Sequence, residues 1–145
     1  MQRLRIMVPC SPQNTGTSTA PTRVTALIFP ETVNPHGTLF AGAGLAMMSK
    51  AAFLAASRRA RRMVVMAGSE RIAFRTPVLP GEALELTAIV TRIGRSSMSV
   101  EVTGEAETLT TGARHLAMTG RFEMVAVDET GRPTPIAIPT EEKTR

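Results

Sequence analysis

Residues 38–62 read TLFAGAGLAMMSKAAFLAASRRARR, and the rest of the chain is best read outward from them. Alanine, leucine and methionine are strong helix formers, so the segment predicts one long helix from Thr38 or Phe40 to Arg62. It is apolar on most sides through Ala56, which predicts deep burial rather than surface packing. Arg58, Arg59, Arg61 and Arg62 suit the negative end of a helix macrodipole. The glycines of Ala41-Gly42-Ala43-Gly44 weaken the first turn, so their presence suggests close approach by another chain or a ligand. No Asp or Glu occurs between Glu31 and Glu70.

The flanks have a different period. Arg23 to Phe29 is apolar and β-branched, a strand stopped by Pro30. Glu31 to Gly37 is a loop containing Asn34-Pro35-His36-Gly37. After the helix, Met63 to Arg75 reads as a strand ended by Pro77, and Pro80-Gly81 as a turn. Residues 83–93 place Leu84, Leu86, Ala88 and Val90 on one face, and 98–107 do the same with Met98, Val100, Val102 and Ala106. Residues 113–127 align Leu116, Met118, Phe122, Met124 and Ala126. Clean alternation predicts antiparallel strands covered on one face. The fold class is therefore α+β, one long buried helix wrapped by a curved antiparallel sheet. The domain spans 22–128, with an N-terminal tail over 1–21 and a C-terminal tail over 129–145. A single copy satisfies one face of this arrangement, and pairing with a second copy is the simplest way to bury the rest.

Composition removes several function classes. At 145 residues the chain is about one domain. One cysteine, Cys10, excludes a disulfide framework, and with two histidines, His36 and His115, a metal site is not expected. No apolar run spans a bilayer and Ile6 to Pro9 is too short for a signal peptide, so the expected location is cytoplasmic. Residues 1–30 hold arginines and no acid, a transit-peptide pattern that also fits a basic tail. The net charge of +5 points to an anionic partner, but with 3% aromatics and no reading motif, nucleic acid is not expected.

Four blocks go further. They are Val33-Asn34-Pro35-His36-Gly37-Thr38-Leu39-Phe40-Ala41-Gly42, Phe74-Arg75-Thr76-Pro77-Val78 with Pro80-Gly81-Glu82, Ile93-Gly94-Arg95-Ser96-Ser97-Met98, and Phe122 with Val125 to Glu129 and Gly131-Arg132-Pro133. In this order and spacing they resemble the hotdog-fold acyl-CoA thioesterases of the acyl-CoA hydrolase type, over about residues 23–139. The resemblance implies hydrolysis of an acyl-CoA to free acid and CoA, with CoA entering as part of the substrate and no separate cofactor. It implies an active site at the interface of a homodimer, which in the family assembles further into tetramers or hexamers. It places the thioester carbonyl against the backbone N–H groups of Ala41 and Gly42, and Phe40, Arg95, Ser96 and Ser97 along the substrate. Unsatisfied N–H groups at a helix start suit a developing oxyanion independently of any resemblance.

The family's loop asparagine falls on Asn34, and its helix carboxylate falls on Ser49. Serine needs a partner base to become a nucleophile. Three routes stay open: His36 as base or as activator of Ser49 across the interface, water oriented by Asn34 and the helix dipole alone, or Glu70 reaching in from the second strand. Met47, Met48, Phe53 and Phe74 are the candidate lining of an acyl tunnel. Taken alone, Asn34 to Gly37 is a turn signal, Ser49 a small packing residue, Arg58 to Arg62 a solvated helix end and His115 a structural contact. The missing helix acid also motivates a second reading, a hotdog protein that binds acyl-CoA without hydrolysing it, as a sensor or carrier. A dehydratase or hydratase needs an acid–histidine pair that this helix lacks.

Overall fold

The computed structural model describes residues 20–136. The tail readings over 1–19 and 137–145, with Cys10, lie outside the described residues. The elements are β1 (Thr22–Leu27), a 3-10 turn (Pro30–Thr32), α1 (Ala41–Ala60), β2 (Val64–Phe74), β3 (Ala83–Ile93), β4 (Ser97–Thr108) and β5 (Ala113–Ala126). The strands form one sheet in the order β1-β3-β4-β5-β2. Every neighbouring pair is antiparallel. The helix carries the chain from the β1 edge to the β2 edge, which makes it a crossover lying on one face of the sheet.

Small residues let the helix lie close. Ala51, Ala52, Ala55, Ala56 and Ala60 are buried together with Met48. Facing them are Leu84 and Leu86 of β3, Met98, Val100 and Val102 of β4, and Met118, Phe122 and Met124 of β5. Phe122 has no exposed surface, and methionines fill what the sparse aromatics leave open. The alternation read in 83–93 and 98–107 is thus the core face.

Three expectations change. Ile28 and Phe29 leave the first strand; the Ile28 N–H donates to the Glu82 carbonyl at 3.0 Å and its side chain drops into the core. The helix is buried on one side only: Leu45 and Phe53 remain 36% and 50% exposed, because the sheet covers a single face of the cylinder. Leu116 is not on the core face. Leu116 pairs with Glu105 and Met118 with Gly104, so Ala117 is an extra residue that turns Leu116 outward and is itself buried. A second bulge sets Arg71 and Ile72 of β2 opposite Gly120, with Arg71 at φ 53°. A non-glycine residue there costs on the order of 1–2 kcal/mol.

Beyond β5 the chain turns at Asp128–Gly131 and returns, Val127 bridging Pro133 and Ile136 reaching the core. Oxygen Oδ1 of Asp128 accepts from the Thr130 hydroxyl and from the N–H groups of Thr130 and Arg132. These bonds hold its carboxyl below the ordinary value.

The sheet face away from the helix carries a polar cluster. Ser99 Oγ, fully buried, accepts from Arg92 Nε and Arg121 Nη2, each at 3.1 Å, and donates to the Glu123 carboxylate at 2.8 Å. Burial by itself would raise the Glu123 pKa; the Ser99 hydroxyl, Arg121 and Arg92 overcome it and leave the group below its ordinary value of 4.5. A lowered carboxylate stabilises the fold fully above its unfolded pKa and loses that contribution as pH falls through the folded one. Thermal melts of the natural protein are therefore expected to fall more steeply below pH 4.5 than those of Glu123→Gln. Parallel curves from pH 6 to about pH 3 would remove Glu123 from the acid limb.

Candidate active site at the start of the helix

Asn34 organises the loop ahead of α1. Its Oδ1 accepts from the backbone N–H groups of His36 at 3.0 Å and Thr38 at 3.2 Å, and its Nδ2 donates to Thr38 Oγ1 at 3.0 Å. The Gly37 N–H closes the turn on the Asn34 carbonyl at 2.9 Å, and Gly37 sits at φ 77°, where a side chain would be strained. The loop is then sewn to its surroundings: the Phe40 N–H donates to Thr32 and the Leu39 N–H to Val78.

The helix begins without a side-chain cap. Phe40 holds the N-cap position, and the Gly44 N–H makes the first helical bond back to the Phe40 carbonyl at 3.0 Å. The N–H groups of Ala41, Gly42 and Ala43 have no acceptor among the described residues. Within the chain, the two glycines make room for its own side chains. A Cβ on Gly42 would stand 2.6 Å from Phe40 Cε1, so the Phe40 ring lies over it. A Cβ on Gly44 would press on Met118 and Phe74.

A cleft of about 340 Å³ opens at this helix start. One wall is Asn34, Thr38, Leu39, Phe40 and Ala41. The other is Phe74, Arg75, Thr76, Pro77 and Val78, with Met118 between them. Of the residues singled out from sequence, the cleft gathers Asn34, Phe40 and Ala41, with Gly42 alongside.

The others stand elsewhere in the single chain. His36 is exposed in the loop and does not line the cleft. Ser49 lies eight residues along the helix from Ala41, about 12 Å on. Its hydroxyl donates to the Ala46 carbonyl at 2.8 Å. Glu70 pairs with Arg121 at 3.4 Å on the sheet face away from the helix. The Arg95-Ser96-Ser97 turn packs at the far end of the sheet, where Ser96 accepts from the Ala126 N–H and Arg95 from the Ile136 N–H. Six residues of β5 separate Met124 there from Met118 at the cleft, roughly 20 Å. Of the expected tunnel residues Phe74 alone lines the cleft, because Met48 faces the sheet and Phe53 the open side of α1. Arg75 and Thr76 line it unforeseen. Their signal was inside the Phe-x-x-Pro block, read there as the end of a strand.

Among the described residues no three metal-ligating side chains stand together, and no helix is long and apolar enough to cross a membrane.

The thioesterase-superfamily model matches residues 36–113, from the loop through β4. The chain belongs to the thioesterase superfamily. An uncharacterised acyl-CoA thioester hydrolase of Bacillus subtilis, YkhA, is 37% identical over 112 residues, covering 77% of this chain and 65% of its own. An acyl-CoA hydrolase of Agrobacterium tumefaciens superposes with a TM-score of 0.76 at 45% identity, over 82% of this chain and 46% of that one. The chain thus spans less than two thirds of the length of these two. An acyl-CoA hydrolase of Staphylococcus aureus, solved with butyryl coenzyme A and coenzyme A, matches at 28% identity and a TM-score of 0.76, over 80% of this chain and 71% of its own. It has also been solved as an Asn-to-Ala and as an Asp-to-Ala mutant, at positions fifteen residues apart. These neighbours carry the hotdog arrangement of one helix on an antiparallel sheet.

Proposed function

We propose that this protein hydrolyses an acyl-CoA to the free acid and CoA at an interface between two copies. The observation that carries the reading is the trio of unsatisfied N–H groups at Ala41, Gly42 and Ala43, open beside a cleft that Asn34 lines. Donors fixed by the backbone stabilise the oxyanion formed when water adds to the thioester carbonyl, each worth about 3–4 kcal/mol in a dry site. Asn34 orients that water, whose proton passes to solvent, since His36 of the same loop stands outside the cleft. Collapse of the intermediate breaks the carbon–sulfur bond and releases CoA thiolate.

Ser49 enters from the partner. It lies between Leu45 and Phe53 at helical spacing, on the one apolar stripe of α1 that the sheet leaves uncovered. The β2 edge beside it exposes Val65 and Met66. A second copy laid on this stripe would cover both and bring its own residue 49 toward this cleft. The interval from Asn34 to Ser49 is also fifteen residues, the spacing of the two positions substituted in the Staphylococcus relative. Phe53→Glu is expected to convert a dimer into monomers on size-exclusion with light scattering, and to lower turnover with it. An unchanged mass would place the interface elsewhere.

A second reading rests on one observation: no carboxylate lies on the helix, and the hydroxyl in its place is engaged with its own backbone. On that reading the protein binds acyl-CoA without cleaving it. Thiol release from a panel of acyl-CoAs separates the two. Turnover supports hydrolysis, whereas calorimetric binding with no thiol after hours supports binding alone.

A further inference from the structure

The cleft has a charge it does not neutralise. Arg75 is its one charged lining residue, beside apolar Leu39, Phe40, Phe74, Val78 and Met118. The Arg75 backbone is fixed, its N–H donating to the Ala117 carbonyl at 2.7 Å. Arg75 is exposed at the cleft, and its guanidinium has no hydrogen-bond or ion-pair partner among the described residues. Arg23, Arg71, Arg95 and Arg132 likewise have none, whereas Arg92, Arg114 and Arg121 are each tied to a glutamate, but of all these Arg75 alone lines the cleft. No acid lines the cleft; its other polar side chains, Asn34, Thr38 and Thr76, are neutral, and the positive end of α1 lies beside them. Arg75 and the helix end both favour negative charge, at two separate places on the cleft wall. The oxyanion of the reaction accounts for the helix end. It leaves Arg75 without a counterpart.

We propose that Arg75 binds a carboxylate carried by the acyl group, which makes short ω-carboxyacyl-CoAs the preferred substrates. This rests on the hydrolase reading of the same cleft. A guanidinium matches a carboxylate with two parallel N–H donors, and a single charged residue in a largely apolar pocket fixes a ligand's orientation. Reach favours the carboxylate over the phosphates of CoA. A cleft of about 340 Å³ has room for a short acyl chain. The far carboxylate of a four- or five-carbon diacid is a few bonds from the reacting carbonyl, whereas the CoA phosphates are a whole pantetheine arm from the sulfur.

The test compares glutaryl-CoA with pentanoyl-CoA, which match in chain length and differ in the terminal carboxylate. The quantity read is the ratio of their kcat/KM values in the natural full chain, in Arg75→Met, which keeps an apolar stem, and in Arg75→Lys. The expected result is a ratio above one that falls about 10–100-fold in Arg75→Met and is partly retained in Arg75→Lys. A ratio unchanged in Arg75→Met overturns the proposal. So does an equal rise in KM for both esters, which would place Arg75 on a CoA phosphate. If no ester yields thiol, the hydrolase reading has failed by itself. Calorimetry then decides for Arg75: a preference for glutaryl-CoA lost in Arg75→Met sustains the assignment, and equal affinity for the two esters overturns it.

Discussion

Ser49→Asp is expected to raise kcat on acyl-CoA by about 10²–10⁴-fold, the range a positioned general base supplies. The chain offers nothing equivalent on the helix, since no acid occurs between Glu31 and Glu70. The substitution is structurally mild. Ser49 is half-buried, and its hydroxyl gives up one local bond to the Ala46 carbonyl. An aspartate inside a helix costs at most about 0.7 kcal/mol. Between Leu45 and Phe53 and under a second copy, the new carboxyl would be partly desolvated, which raises its pKa. The variant's rate should therefore climb with pH through a limb that the natural protein lacks. Thiol release against pH for both proteins is the measurement. A variant no faster than the natural protein would mean that the stripe carrying residue 49 does not face a cleft.

Asn34→Ala is expected to lower kcat/KM by about 10²-fold or more, by two routes that can be separated. The first is positional. Oδ1 holds the His36 and Thr38 N–H groups, so its loss frees the loop that supports the cleft wall. Misplacement of a reacting group by about 1 Å costs 10²-fold. The loop bonds themselves are worth about 1–3 kcal/mol to the fold. The second route is chemical, because Nδ2 is the amide donor that would orient water. Asn34→Asp keeps an oxygen for both backbone donors and removes Nδ2. Melting near the natural temperature with activity as low as in Asn34→Ala would assign the loss to the donor. Full activity in Asn34→Ala would take Asn34 out of the mechanism.

Much of this was legible in the chain because it follows from local rules. The period of two became the inner faces of β3 as far as Val90 and of β4 over 98–107, and a bulge at Thr91 then turns Arg92 to the outer face. The alanine-rich run became α1, beginning at Ala41, where the chain leaves the extended conformation of Phe40, and ending before Arg61, which takes the left-handed conformation. Asn34 and Ala41 were identified from one block and meet in one cleft. Periodicity failed at Leu116, because one inserted residue, Ala117, reverses every face before it and leaves no mark in composition.

The sequence by itself determined the element order, the inward face of most strands and the loop that precedes the helix, since each depends on neighbours within a few residues. The tertiary structure alone decided which candidates share a site. Glu70 is held by Arg121 across a strand pair, and the Arg95 turn lies roughly 20 Å from the cleft. Arg75 arrives opposite Asn34 because Leu39 and Val78, far apart in the chain, are joined by one backbone hydrogen bond. Such contacts arise from strand order and register, which bring together residues that no local pattern relates.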